Sequence, residues 1–382
     1  MKWFLLPLLV LVPLQTAAAQ PPVAKFSGGM GPAKPSSPEG FDALSRLEIL
    51  AYARTVAAHQ DLTNTASLQS YLGRPKVNAA SVAAWMGLTQ ARLLGNFAKA
   101  SAHCAPADPA CLPAPAGWPA LAADTAALDA LPSAYAEWTA ALASFSEAYF
   151  REQLRLAALF PAITDEALRL DPGEKDGWEL PDKAFLLTFD DGPTAPRGNT
   201  DRTLAMLAEQ RLPGIFFVLG EALQQRLALE SAAGLRGLYQ GQAVSAHGWT
   251  HTSHAKRPDW QDSITRTRAL IHATFPALPE RLIFFRPPYG ERRPEAQAFL
   301  AGQGGSAVML WNLDSQDWNA AINADEVAAR QLALMLLWRR GILLFHDVHP
   351  KAATAVPAIV KALKGSGVSF LGAAELFPEG PK

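Results

Sequence analysis

Two patterns of apolar spacing divide this chain. From Phe41, apolar residues recur at Leu44, Leu47, Leu50, Ala53 and Val56, the three-to-four-residue step of a single helix face. A second helix is predicted over about 79–102, and others between 120 and 170. The stretch is rich in Ala, Leu and Glu and poor in Val and Ile, which suits helices. An all-helical domain over 40–180 is therefore expected, with Asp171-Pro172-Gly173 ending the helical region. After Pro181 the pattern changes. Short apolar runs at 185–189, 214–219, 243–245, 282–285, 307–311, 342–345 and 368–371 alternate with helical stretches such as 201–210, 262–275 and 325–339. Strands alternating with helices imply parallel β/α units. About seven strands are too few for an ordinary eightfold barrel. The predicted fold class is therefore α/β, a distorted (β/α)7 barrel over 181–382 preceded by the helical domain. In such a barrel the C-terminal ends of the strands carry the chemistry.

The first residues read differently. Met1-Lys2 makes a short basic start, an apolar run follows over 3–14, and Ala17-Ala18-Ala19 closes it. This is the three-part pattern of a secretory signal peptide over 1–19, cleaved after Ala19. The run is too short to span a bilayer and is broken by Pro7 and Pro13. Residues 20–39, rich in Pro, Gly and Ser, read as a flexible linker. An exported protein, periplasmic or extracellular, without stable membrane insertion, is expected. That setting favours a disulfide between the two cysteines, Cys104 and Cys111. A two-cysteine metal site would lack further ligands nearby. Charge is balanced, 34 basic against 35 acidic residues, which argues against a nucleic-acid partner. Trp85, Trp118 and Trp138 could be sugar platforms, but helix packing is the better reading. Residues 40–170 hold no chemical constellation, and neither the role of this region nor the oligomeric state can be read.

Polar clusters gather where the predicted strands end. Phe185-Leu186-Leu187-Thr188-Phe189 runs into Asp190-Asp191 and is then turned by Gly192-Pro193. Two adjacent acids at a buried strand end need a metal, a cation or a proton to compensate them. After the third run comes Ala246-His247-Gly248-Trp249-Thr250-His251. One carboxylate and two imidazoles would give a divalent cation three ligands and leave positions open. His254 could replace either histidine. After the fourth comes Arg286-Pro287-Pro288-Tyr289-Gly290, in which Arg286 can hold one acid ionised and the Tyr289 backbone N–H can face an oxyanion. After the fifth comes Asp314-Ser315-Gln316-Asp317-Trp318, and after the sixth Leu344-Phe345-His346-Asp347. His346 is a candidate general acid if a carboxylate keeps it protonated. His59, His103, His272 and His349 are read as surface residues.

Taken together, these clusters resemble the polysaccharide deacetylase family, the NodB-homology or carbohydrate esterase family 4 domain. The resemblance covers residues 183–377, including the second-strand segment 214–220 and the closing segment 367–376. It implies Asp190 as general base and Asp191, His247 and His251 as the metal triad, against His254. It implies Arg286 as the tether of the base and His346 as general acid. Asp317, in preference to Asp314, would orient that acid. Trp318 and Leu344, with Pro288 beside them, would line an acetate pocket. The implied cofactor is a divalent metal, zinc by default, with cobalt, nickel, iron or manganese open. The implied substrate is an N-acetylated polysaccharide or oligosaccharide such as peptidoglycan, chitin oligomers or poly-N-acetylglucosamine. O-acetyl ester hydrolysis on a xylan-like glycan and non-catalytic glycan binding are the alternatives. Ala246 and Gly248 depart from the family pattern, which usually has Asn or Ser and then Ser or Thr there.

Overall fold

The structure is a computed structural model and describes residues 23–28, 34–105, 108, 110–161 and 169–376. The expected signal peptide lies outside the described residues, as does part of the expected linker. Among the described residues five α-helices come first: α1 (Pro38–Ala58), α2 (Thr65–Leu72), α3 (Ala79–Ser101), α4 (Trp118–Asp124) and α5 (Ala136–Leu159). Local chemistry sets their starts. The Ser37 hydroxyl accepts from Gly40 N–H ahead of α1, and the Asn64 and Asn78 side chains do the same for α2 and α3. α2 lies outside the expected helices: it is short and buries a single residue, Leu68, which leaves too little periodicity to read. Trp85 and Trp138 are buried in helix packing, and Trp118 is half-buried. Cys104 and Cys111 form a disulfide, with Cα atoms 5.5 Å apart.

The remainder holds strands β1 (Ala184–Asp190), β2 (Ile215–Val218), β3 (Ala243–Ala246), β4 (Leu313–Asp314), β5 (Gly341–His346) and β6 (Ser369–Phe370). Between them lie α6 (Asn199–Gln210), α7 (Gly220–Leu227), α8 (Ala232–Leu238), α9 (Trp260–Thr274), α10 (Ala296–Ala301), α11 (Ala324–Trp338) and α12 (Ala352–Leu363). Every pairing is parallel, in the order β3-β2-β1-β5-β4, with β6 against the start of β1. β1 is central and wholly buried, which is why it reads as a continuous apolar run.

Two of the predicted strands do not form ladders. At 282–285 and 307–311 only isolated bridges occur among the described residues: Ala246 with Phe285, Phe285 with Val308, and Lys175 with Met309. Side chains take over ladder bonds there: Ser245 Oγ accepts from Phe284 N–H, and Gln297 Oε1 accepts from Val308 N–H. A short strand forms just beyond, at Leu313–Asp314. This irregular sector is the distortion of the barrel.

Period-two alternation then explains the site. Along β1, Phe185, Leu187 and Phe189 face the helices, while Ala184 and Leu186 join Phe217, Phe284, Met309 and Ile342 in a separate inner cluster. The inner row continues through Thr188 to Asp190. The same step leads from Ser245 to His247, from Phe284 to Arg286, and from Ile342 through Leu344 to His346. The inner row is thus apolar at the base and turns polar at the strand ends.

The N-terminal helices share the outer core with the barrel. Phe41, Tyr52, Phe97 and Tyr149 belong to one buried cluster with Leu334 and Trp338 of α11. Trp338 Nε1 donates to Tyr149 Oη at 3.1 Å, Ser45 Oγ to Leu336 O at 2.6 Å, and Asn96 Nδ2 to Trp338 O at 3.1 Å.

Candidate active site

The parallel register of β1 and β5 sets Asp190 directly across from His346. Asp190 Oδ1 accepts from Arg286 Nη1 at 2.8 Å. Arg286 is fully buried and spends its other donors on the main chain: Nε on Met309 O at 3.1 Å and Nη2 on Leu310 O at 2.7 Å. Nη1 also reaches Thr188 Oγ1 at 2.8 Å, and the guanidinium lies 4.1 Å from the centre of the Phe217 ring. Thr188, a polar residue inside an apolar strand, serves this arginine. The sequence carried that signal in the inward row, but no role was assigned to it.

Asp191 begins the turn after β1 with φ at +80°. Its Oδ1 lies 3.3 Å from His247 Nε2 and 3.4 Å from His251 Nε2. All three ligand atoms lie within 4.8 Å of one another. Ligand atoms around a tetrahedral cation, with bonds of about 2.0–2.1 Å, sit roughly 3.3–3.4 Å apart. Asp191 Oδ1 is buried and accepts no hydrogen bond, an unmet acceptor of the kind a cation satisfies. His247 Nδ1 donates to Arg286 O at 2.7 Å, which leaves the Nε2 lone pair facing Asp191. Burial, helped by the neighbouring His247, lowers the His251 pKa, which favours the neutral ring, the form able to bind a cation. Burial opposes charge on Asp191, but the imidazoles beside it, His247 first, outweigh it and hold the carboxyl well below its usual range. The residues present fit a divalent first-row cation.

His254 stands apart from this triad. It is buried edge-on against Phe285, donates from Nδ1 to Thr252 O at 3.0 Å, and meets Ser263 Oγ through Nε2 at 3.0 Å. Burial, and after it Arg257, pushes its pKa down to about 4. The glycine that departs from the family pattern follows from this packing. Gly248 has φ at +85°, and a Cβ there would come within 2.5 Å of His254 Cε1.

At the end of β5, Asp317 Oδ1 accepts from His346 Nδ1 at 2.8 Å and Oδ2 accepts from His346 N–H at 2.9 Å. Burial opposes charge on His346, but Asp317, then Asp190 and Asp191, outweigh it and raise the pKa to about 10. Asp314 is turned away, bound by the main chain and side chain of Gln316 at 2.8 Å each. Tyr289 sits at φ +61° in the turn after Arg286, 60% exposed, with its ring 4.4 Å from that of His251. Trp318 is 39% exposed, while Pro288 and Leu344 are buried. His349 is not a free surface residue, because its ring lies 6.0 Å from that of His346. Asp347 received no role in the sequence reading. It is buried, its main-chain N–H bonds Asp190 O, and burial pushes its pKa up to about 7. A Cβ on Gly192 would strike its carboxylate, so the glycine after Asp190-Asp191 is required by this contact.

A carboxylate held by an arginine, three potential ligand atoms at cation spacing and a histidine paired with a carboxylate thus meet at the strand ends, a set of groups with the chemistry to activate a water and to give up a proton. Comparison with known proteins agrees in kind. A family model described as polysaccharide deacetylase matches residues 178–305. The peptidoglycan-N-acetylglucosamine deacetylase of Bacillus cereus is 30% identical over 224 residues, covering 57% of this chain and 77% of that protein. The chitooligosaccharide deacetylase of Sinorhizobium fredii is 34% identical over 170 residues, covering 44% and 73%. The peptidoglycan-N-acetylglucosamine deacetylase PgdA of Listeria monocytogenes is 29% identical over 202 residues, 52% of this chain. The chain spans only 39% of the length of that last relative.

Proposed function

The chain belongs to the polysaccharide deacetylase family, and on that footing we propose that it is an exported, metal-dependent hydrolase. It removes N-acetyl groups from an amino-sugar glycan, releasing acetate and free amine. The observation that carries this reading is the meeting of three units at one level of the barrel: Asp190 on Arg286, Asp191 with His247 and His251, and Asp317 on His346. Relatives named for peptidoglycan and chitooligosaccharide substrates support an N-acetylated polymer or oligomer. Among the described residues no helix is long and apolar enough to cross a membrane. The leader-like pattern over 1–19 supports export.

Asp191, His247 and His251 would hold the cation, zinc by default. When bound, it supplies Lewis acidity, which makes water a better nucleophile and draws charge onto the carbonyl oxygen. The chain's own residues do the rest. Asp190, fixed by Arg286, takes the proton of the attacking water. The Tyr289 N–H donates to the oxygen on which negative charge develops. His346, protonated and oriented by Asp317, gives its proton to the amine nitrogen as the C–N bond breaks. Leu344 and Pro288 wall the space for the acetyl methyl, and Trp318 offers a face to the sugar.

Acetate release from a panel of purified N-acetylated glycans by the metal-loaded chain tests the reading. Release that ends with chelation and returns with zinc is expected. No release from any glycan by protein of full metal content would overturn it.

A further inference from the structure

The loops that carry this chemistry are held from behind by residues N-terminal to the family match. Glu174 and Arg292 form a buried two-point pair, with Nη2 donating to Oε2 at 2.6 Å and Nε to Oε1. Leu170 N–H also donates to Glu174 Oε2, at 2.9 Å, so the carboxylate is fixed on its own side. The remaining arm of Arg292, Nη1, donates to Gly290 O at 3.0 Å. That carbonyl closes the turn in which Tyr289 and Gly290 both adopt positive φ, +61° and +72°. A bulky residue keeps such a backbone only where its surroundings over-determine it.

The opposite wall is built the same way. Glu152 of α5 takes Arg330 of α11 through both oxygens, at 2.9 and 3.3 Å. Arg330 is buried, and its Nε donates to Asp314 O at 2.9 Å, where the loop bearing Asp317 and Trp318 begins. Both carboxylates lie outside residues 178–305, whereas the Tyr289 turn lies inside them.

We propose that the N-terminal extension is a positioning device for this site: Glu174, through Arg292, sets the Tyr289 turn, and Glu152, through Arg330, sets the 314–317 loop. The inference rests on the deacetylase reading for its kinetic readout. Glu152 and Glu174 are positioning residues, since neither touches the reacting atoms.

The test uses the full-length, zinc-loaded chain acting on a chitin oligomer. Glu174→Gln keeps the shape and removes the charge facing Arg292. It is expected to lower kcat roughly tenfold with KM within about twofold, a fraction of what losing an oxyanion donor outright costs. Glu152→Gln is expected to lower kcat about threefold, a smaller misplacement of the catalytic geometry. The control is Asn96→Ala, which removes a buried bond from the same extension to the end of α11. It should lower Tm comparably and leave kcat alone. Hydrogen exchange at the 289–291 amides, which requires no turnover, should quicken in Glu174→Gln and stay unchanged in Asn96→Ala. If Glu174→Gln fails to fold, Arg292→Lys, which keeps the charge and loses the forked contact, takes its place with the same expectations. Unchanged exchange and unchanged kcat in the glutamate variants overturn the positioning role. Absence of acetate release by wild type counts instead against the deacetylase reading and leaves the exchange result to decide the positioning role.

Discussion

The barrel and the N-terminal helices both bury charge, but they use it differently. In the barrel, Asp190, Arg286 and His346 sit on inward rows at strand ends, and their charges gather at one place. In the helices, buried charge is spent on anchoring. Arg46 pairs with Asp108 inside the disulfide loop, and Glu152 pairs with Arg330 across the boundary. Polar groups thus gather at the strand ends of the barrel, while the buried pairs of the helices tie one part of the chain to another. Apart from Glu152 and Glu174, whose arginine partners reach the site loops, substitutions on the two sides should therefore separate activity from stability.

The largest expected effect lies at the cation seat. His251→Ala should lose both metal and acetate release, whereas His346→Ala should keep full metal and lose about 10²–10⁴ in kcat, the range of a general acid. Elemental analysis beside steady-state kinetics checks both, and full metal in purified His251→Ala would contradict the ligand assignment. Asp317→Asn comes next. The imidazolium of His346 should titrate near 10 in the metal-free protein and well below that in the variant, as followed by NMR of the ring. The sign for stability follows. A histidine raised above its unfolded value of about 6.5 contributes fully below that pH, and its contribution is lost as pH rises through about 10. Wild type should therefore lose Tm across that window more steeply than Asp317→Asn. The smallest effect sharpens the contrast from the helical side. Tyr149→Phe leaves Trp338 Nε1 without its partner and should cost about 1 kcal/mol with kcat unchanged. A fall in kcat there would break the division.

Much of the barrel could be read in advance because its signals are local. The run into Asp190-Asp191, the strand at 342–345 and the helices around 201–210 and 325–339 all declare themselves by spacing. The irregular sector did not. At 282–285 and 307–311 the run of apolar residues is that of a strand, yet the hydroxyl of Ser245 and the amide of Gln297 take the ladder bonds, and no period reveals such a substitution. His349 and Asp347 escaped for a related reason, since their meaning lies in what the β5–α12 loop folds against. The extension was opaque because Glu152 and Glu174 meet partners 178 and 118 positions away.

Arg286 joins two halves of the site that could otherwise drift apart. Its side chain grips Asp190, and its own carbonyl orients His247. Only the first of these belongs to the side chain. A chain altered to Arg286→Met would keep the oxygen that aims the imidazole and lose the hand that aims the base. On the proposed reading such a chain goes on holding its cation and loses turnover, so one substitution would divide a hydrolase from a silent holder built on the same barrel.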